Sequence, residues 1–138
     1  KKQYIDTEKL RFVLRDLPLA EHQYAKPAAI ASHFAREKNK FLKMHDALFE
    51  GRGKLNPDDV FGYASSIGLQ EDPFKTCMTS EKFNNDIKQD VQDARSAGIR
   101  VTPAFVIGKT TEDMVSGTLI AGTNPLAALK QEIDKLLH

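Results

Sequence analysis

The spacing of apolar and polar positions changes character twice along this chain. Leu10-Arg11-Phe12-Val13-Leu14-Arg15 is a β-rich apolar run closed by Asp16-Leu17-Pro18. Its length and bounding Pro predict a largely buried strand. From Ala20 to Asn39 the pattern turns helical, with Ala28, Ile30, Ala31, Phe34 and Ala35 at helical spacing and Pro27 marking a start or kink. Asn39-Lys40 predicts a break. Phe41, Leu42, His45, Leu48 and Phe49 then form a short amphipathic helix stopped by Gly51-Arg52-Gly53.

The next boundaries follow cap rules. Asn56-Pro57-Asp58-Asp59 offers an N-cap, a Pro at N1 and acids in the first turn, with Gly68 closing that helix. Asp72-Pro73 repeats the signature for a short helix through Phe74, Cys77 and Met78. Ser80 is expected to cap a longer helix, with Phe83, Ile87, Val91 and Ala94 on one stripe and Gly98 at its end. After Gly98 the period changes again. Thr102-Pro103 leads into a strand, Ala104-Phe105-Val106-Ile107-Gly108, and Leu119-Ile120-Ala121-Gly122 reads as another. Asn124-Pro125 caps a final helix whose Leu126, Leu129, Ile133, Leu136 and Leu137 form a buried face. The expected order is strand, about five helices, strand, strand, helix, with no internal repeat and no low-complexity linker.

Composition narrows the function classes. The 138 residues fit one domain, and 41% hydrophobic with 28% charged residues is ordinary for a globular protein. Twenty Lys and Arg against nineteen Asp and Glu leave a net charge of +1, which argues against a dedicated nucleic-acid binder. No apolar run approaches the roughly 20 residues of a membrane helix. The charged start, Lys1-Lys2-Gln3-Tyr4-Ile5-Asp6, is followed by no apolar h-region, so no signal peptide is read here. The first residue is not Met, and the expectation is a processed form or an excised segment.

Candidate chemistry is sparse. His22, His33 and His45 stand eleven and twelve residues apart, without the three- or four-residue spacing of a helical metal site, so neither metal nor cofactor is expected. Met44-His45-Asp46 could pair a base with an orienting acid, but a solvated helix surface is the plainer reading. No GxSxG or phosphate-cradling Gly-rich loop occurs. Cys77 stands alone, which excludes an internal disulfide, a CxxC pair and a multi-cysteine zinc site. With Lys75 and Lys82 near in sequence but no histidine, a buried, inert thiol is the better reading. Thr102-Pro103 opens a strand either as a plain trans start or as a cis turn. Cis occurs in about 5–6% of X–Pro bonds, so the dipeptide alone favours trans.

Several blocks together carry a resemblance. Tyr4 to Leu19, the Ala-rich helix, Lys40-Phe41-Leu42-Lys43-Met44-His45-Asp46-Ala47-Leu48-Phe49, Phe74-Lys75-Thr76-Cys77-Met78, and Gly98-Ile99-Arg100-Val101-Thr102-Pro103-Ala104-Phe105-Val106-Ile107-Gly108 follow one another in order. With the strand and helix after Gly117, this order resembles the DsbA-like thiol-disulfide oxidoreductases of the thioredoxin superfamily over essentially the whole chain. The resemblance implies an α/β, thioredoxin-like fold of DsbA type with an inserted helical domain. Residues 1–19 and 99–138 would form an incomplete thioredoxin-like part, and 20–98 the insert. It implies a cis Pro103, with Thr102 and Pro103 as the substrate-binding positions that offer backbone to a peptide.

The departure from the family matters as much. The first strand, the CxxC motif and its helix would precede Lys1, so no catalytic residue stands in this chain and the N-terminal β–α unit is absent from it. In a thioredoxin fold that strand lies between those near Phe12 and Phe105. Two strands would then lack their central partner, at about 1–3 kcal/mol for each unpaired buried amide. The chain is expected to be short of stability, or to borrow a strand as a strand-exchanged homo-oligomer. Many relatives carry a second cysteine near Phe34, which leaves Cys77 without a partner here. Family members exchange disulfides through a low-pKa thiolate. The implied partners are unfolded or cysteine-containing polypeptides and a redox partner protein, in a periplasmic or otherwise extracytoplasmic compartment. The alternative expectation is a redox-inactive, thioredoxin-like peptide-binding module.

Overall fold

In a computed structural model, residues 3–111, 114–124 and 126–138 are described. The order of elements is α1 (Ala25–Glu37), α2 (Phe41–Glu50), α3 (Pro57–Ser66), α4 (Glu71–Met78), α5 (Asn84–Ser96), β1 (Ala104–Thr110), β2 (Val115–Ala121) and α6 (Leu126–Leu137). The fold is mixed α/β, six helices and one two-stranded sheet among the described residues. The chain divides into two compact units. One is helical, Asp16–Asp93; the other holds the residues up to Arg15 with Ala94–His138.

Local rules account for the helix ends in the helical unit. Pro27 lies in the first turn of α1, where a missing N–H leaves no bond unmade. At the other end Asn39 takes a left-handed conformation (φ 57°). The Asn39 amide donates to the Arg36 carbonyl at 3.0 Å and the Lys40 amide to that of Ala35 at 2.8 Å. That pair of bonds is a Schellman motif. Gly68 repeats it after α3 (φ 76°), with its own amide on Ser65 and that of Leu69 on Ala64, both at 2.9 Å. Asn56 caps the start of α3 by accepting the Asp59 amide at 3.0 Å, with Pro57 at N1.

Two starts differ from the sequence expectation. α4 begins at Glu71 with Gln70 as its N-cap, so Asp72 and Pro73 lie inside the first turn. There Pro costs no hydrogen bond and Asp faces the positive helix end. α5 begins at Asn84. Ser80 instead bonds its neighbours, donating to the Cys77 carbonyl at 2.8 Å and accepting the Lys82 amide at 3.3 Å. Such a local side-chain bond competes with helix initiation.

Phe74 organises the helical core. It is 1% exposed and meets Phe34 and Phe61 edge-on, at 5.4 and 5.6 Å between ring centroids. Met44 and Val60 are the other large side chains fully withdrawn from water. Every buried hydrophobic residue among those described lies between Ala29 and Ile87.

In the other unit, β1 and β2 pair antiparallel, with Phe105 opposite Ile120 and Gly108 opposite Gly117. The two glycines face each other so closely that a Cβ on Gly108 would fall 2.0 Å from the Ser116 carbonyl oxygen. β2 extends further towards its N-terminus than the expected Leu119–Gly122. Gly98 ends α5 with the same paired bonds, to Arg95 at 3.0 Å and from Ile99 to Ala94 at 2.9 Å.

Two expectations fail in this unit. Leu10–Arg15 has no strand structure, and Phe12 and Val13 are more than half exposed. A strand is held by a ladder partner, and none of the described residues supplies one. The apolar face of α6 is not buried: Leu126 is 80% exposed, and Leu129 and Ile133 are only partly covered. A two-stranded ribbon covers too little area to close over a whole helix face. Asn124 bonds the carbonyls of Ala121 and Gly122, and the expected cap partner Pro125 lies outside the described residues.

Candidate functional site

Thr102 and Pro103 stand at the start of β1, both exposed. The bond joining them is cis, against the odds for an X–Pro bond taken alone. The Pro103 carbonyl accepts the Gly122 amide at 2.8 Å, which continues the β1–β2 pairing past the strand end. Thr102 makes no backbone hydrogen bond within the described residues. β1 pairs with β2 on one edge, and its other edge carries no partner among the described residues. A sheet edge of this kind presents a row of N–H and C=O groups that an extended chain can join. Chemically, the arrangement can bind a backbone.

The one thiol is elsewhere. Cys77 lies in α4, 6% exposed and unpaired. Burial pushes its thiol above the ordinary cysteine range, and the Ser80 hydroxyl and the Lys82 ammonium only partly oppose this. At neutral pH the group is therefore a protonated thiol, a poor nucleophile. The buried, inert reading of Cys77 agrees with this environment. Phe34, near where many relatives were expected to carry a cysteine, is instead a buried ring packed against Phe74.

The histidines separate into different roles. His45 is partly exposed, its Nδ1 3.3 Å from Asp46 Oδ1, with its ring between those of Phe41 and Phe49 at 6.1 and 4.7 Å. His33 is buried, with both ring nitrogens engaged. Its Nε2 lies 2.8 Å from Asp16 Oδ2 and its Nδ1 2.8 Å from Arg36 Nη2. Asp86 Oδ2 stands 3.8 Å from Nδ1, and Asp90 accepts the Asp16 amide at 2.8 Å. Sequence reasoning missed this cluster because Asp16 is 17 residues from His33, beyond any helical spacing rule. The signal available was a His on the apolar stripe of α1, a position that demands partners when buried. Among the described residues no three His, Cys, Asp or Glu side chains gather in a way that would hold a metal ion. No helix among them is long and apolar enough to cross a membrane.

One further cluster ties the beginning of the described chain to α6. The Tyr4 hydroxyl donates to Asp134 Oδ1 at 2.6 Å, and Lys130 Nζ donates to Asp134 Oδ2 at 2.7 Å. These bonds, from Lys130 first and Tyr4 second, hold the Asp134 carboxyl below the usual carboxylate range. The same carboxylate, and then Tyr4, raises the Lys130 ammonium.

Comparison with known proteins adds lineage to this geometry. Residues 1–118 match the model of the family described as Thioredoxin. The chain is also similar to the Na(+)/H(+) antiporter NhaA 1 of Salinispora arenicola, 35% identical over 103 residues, 74% of this chain and 16% of that protein. The Na(+)/H(+) antiporter NhaA 3 of Salinispora tropica is 35% identical over 104 residues, 75% of this chain and 16% of its own. The Na(+)/H(+) antiporter NhaA of Herminiimonas arsenicoxydans is 30% identical over 98 residues, 71% and 16%. The chain thus spans about a sixth of the length of these curated relatives. No solved structure matches.

Proposed function

The chain belongs to the thioredoxin family, and from that membership we propose that it is the peptide-gripping part of a DsbA-like thiol-disulfide oxidoreductase. In this reading, the backbone at Thr102 and Pro103 takes up an extended, cysteine-containing polypeptide, while the other edge of β1 receives the family's first strand. Its cysteine would be presented to a dithiol supplied by residues outside this sequence, since the sequence holds Cys77 alone. The helical unit, Asp16–Asp93, plays the inserted helical domain of such enzymes, and the setting is extracytoplasmic, where disulfides form and persist. The observation that carries the reading is the exposed Thr102, which lies just ahead of β1 and makes no backbone hydrogen bond within the described residues, in a thioredoxin-family chain.

Binding at Thr102 is directly measurable. Titrating the isotope-labelled chain with a reduced, unfolded polypeptide should perturb the amides of Thr102 and its neighbours Val101 and Ala104, because an extended chain hydrogen-bonds the backbone there. If those amides stay unmoved while others shift, Thr102 is not the site and the proposal is wrong.

A second reading rests on the relatives. The antiporters reported above are about six times longer than the aligned region. The aligned region is thus a small part of each. This chain could serve in the same way as a redox-inactive, peptide-binding module attached to a membrane transporter. The open β1 edge would then receive a segment of the transporter, or of a second copy by strand exchange, rather than a disulfide substrate. A full coding sequence with many membrane spans and no CxxC would favour it.

A further inference from the structure

We propose that His33 is a proton-operated exchange point between Arg36, on its own helix, and Asp86, on α5. An arginine guanidinium only donates. Arg36 Nη2 at 2.8 Å therefore makes Nδ1 of His33 an acceptor, and the single ring proton sits on Nε2. From there it donates to Asp16 Oδ2, also at 2.8 Å. The neutral ring is thus held in one tautomer by a donor on one side and a carboxylate on the other.

A second proton can go only to Nδ1, where it meets a donor instead of an acceptor. One anionic acceptor is close to that atom: Asp86 Oδ2, 3.8 Å away and itself 3.6 Å from Arg36 Nη2. The proton comes from solvent, the Arg36–Nδ1 bond breaks, and Nδ1–H bonds to Asp86. Arg36 is free to turn into water, since its side chain is 58% exposed. The ring itself is nearly sealed from solvent, at 5%. An unmatched N–H there would be costly, so the exchange of partners goes with the proton.

Asp16 comes from the segment before α1, Arg36 from α1 and Asp86 from α5. Phe83 stacks on the imidazole at 5.1 Å between centroids and carries Lys82 Nζ at 5.2 Å on its own ring, with Lys82 bound to Glu37 at 2.7 Å. Asp90 holds the Asp16 amide. The helical unit begins at Asp16 and ends within α5. In the neutral form His33 bonds the first of these ends alone; in the protonated form one charged ring bonds both.

Imidazole and carboxyl NMR on the full chain, from about pH 8 to about pH 5, tests the exchange. His33 should show the Nε2–H tautomer at the upper end. As the ring takes its second proton, the Asp86 carboxyl carbon should shift in step with it. The exposed-site variant Arg36→Gln should convert the single tautomer into a mixture while keeping the Asp86 response. His33→Gln should remove that response. An Nδ1–H ring at the upper end overturns the proposal. So does an Asp86 carbon that ignores the ring, or a ring that takes no second proton before the chain unfolds.

Discussion

Asp134 shows how a half-buried side chain can carry a measurable anchor. Its carboxyl is held below the ordinary range by Lys130 and Tyr4, so its charged form is favoured in the folded chain. A depressed folded value means that the stabilising contribution is complete above the unfolded carboxyl value, about pH 4, and is lost as pH falls through the lower folded value. The Tyr4 ring signals should therefore hold their position down to about pH 4 and move below it. Asp134→Asn should show at neutral pH what the parent shows only in acid, and a parent ring that moves first near pH 6 would contradict this assignment. Legibility at this scale was uneven. Thr102 and Pro103 stand out because Pro at a strand start is a local signal, while their cis bond and substrate-binding role are implied only by the family resemblance. Tyr4–Asp134, 130 residues apart, and His33–Asp16 were not, because only tertiary folding brings those atoms together.

Among elements, the helices were read well and the strands less so, for a physical reason. A helix end is decided by a few adjacent residues, and Asn39, Gly68 and Gly98 each stand where a left-handed residue closes a Schellman motif. Gly68→Ala should cost about 1 kcal/mol in urea unfolding, since alanine must be forced to positive φ and its Cβ would meet Lys40 Nζ at 3.2 Å. A loss near zero would mean that α3 does not end on that geometry. Leu10–Arg15 reads as a strand in isolation, with a short β-rich apolar run and a bounding Pro both present. Strand structure needs a neighbour, though, and no sequence window contains the neighbour. The same dependence explains α6, whose apolar stripe was legible but whose covering surface was not.

The chain as a whole is unevenly built. Among the described residues all deeply buried apolar side chains lie in the helical unit, while the β1–β2 ribbon rests on a single pairing. Two-stranded ribbons are marginal in water. Native-state hydrogen exchange should find Ala31, Phe34 and Ala35 opening last and the β1–β2 amides first, separated by a few kcal/mol. Phe74→Ala should lower the helical unit's protection by about 3–5 kcal/mol and leave the ribbon unchanged. Uniform protection across both units would contradict that division. The most direct test of the functional reading is insulin reduction by this chain alone, and by the same chain with the residues encoded before Lys1. Negligible turnover by the chain alone is expected, with clear turnover by the longer protein that is lost when the added cysteines are replaced by alanine. Equal, negligible turnover by both would contradict it.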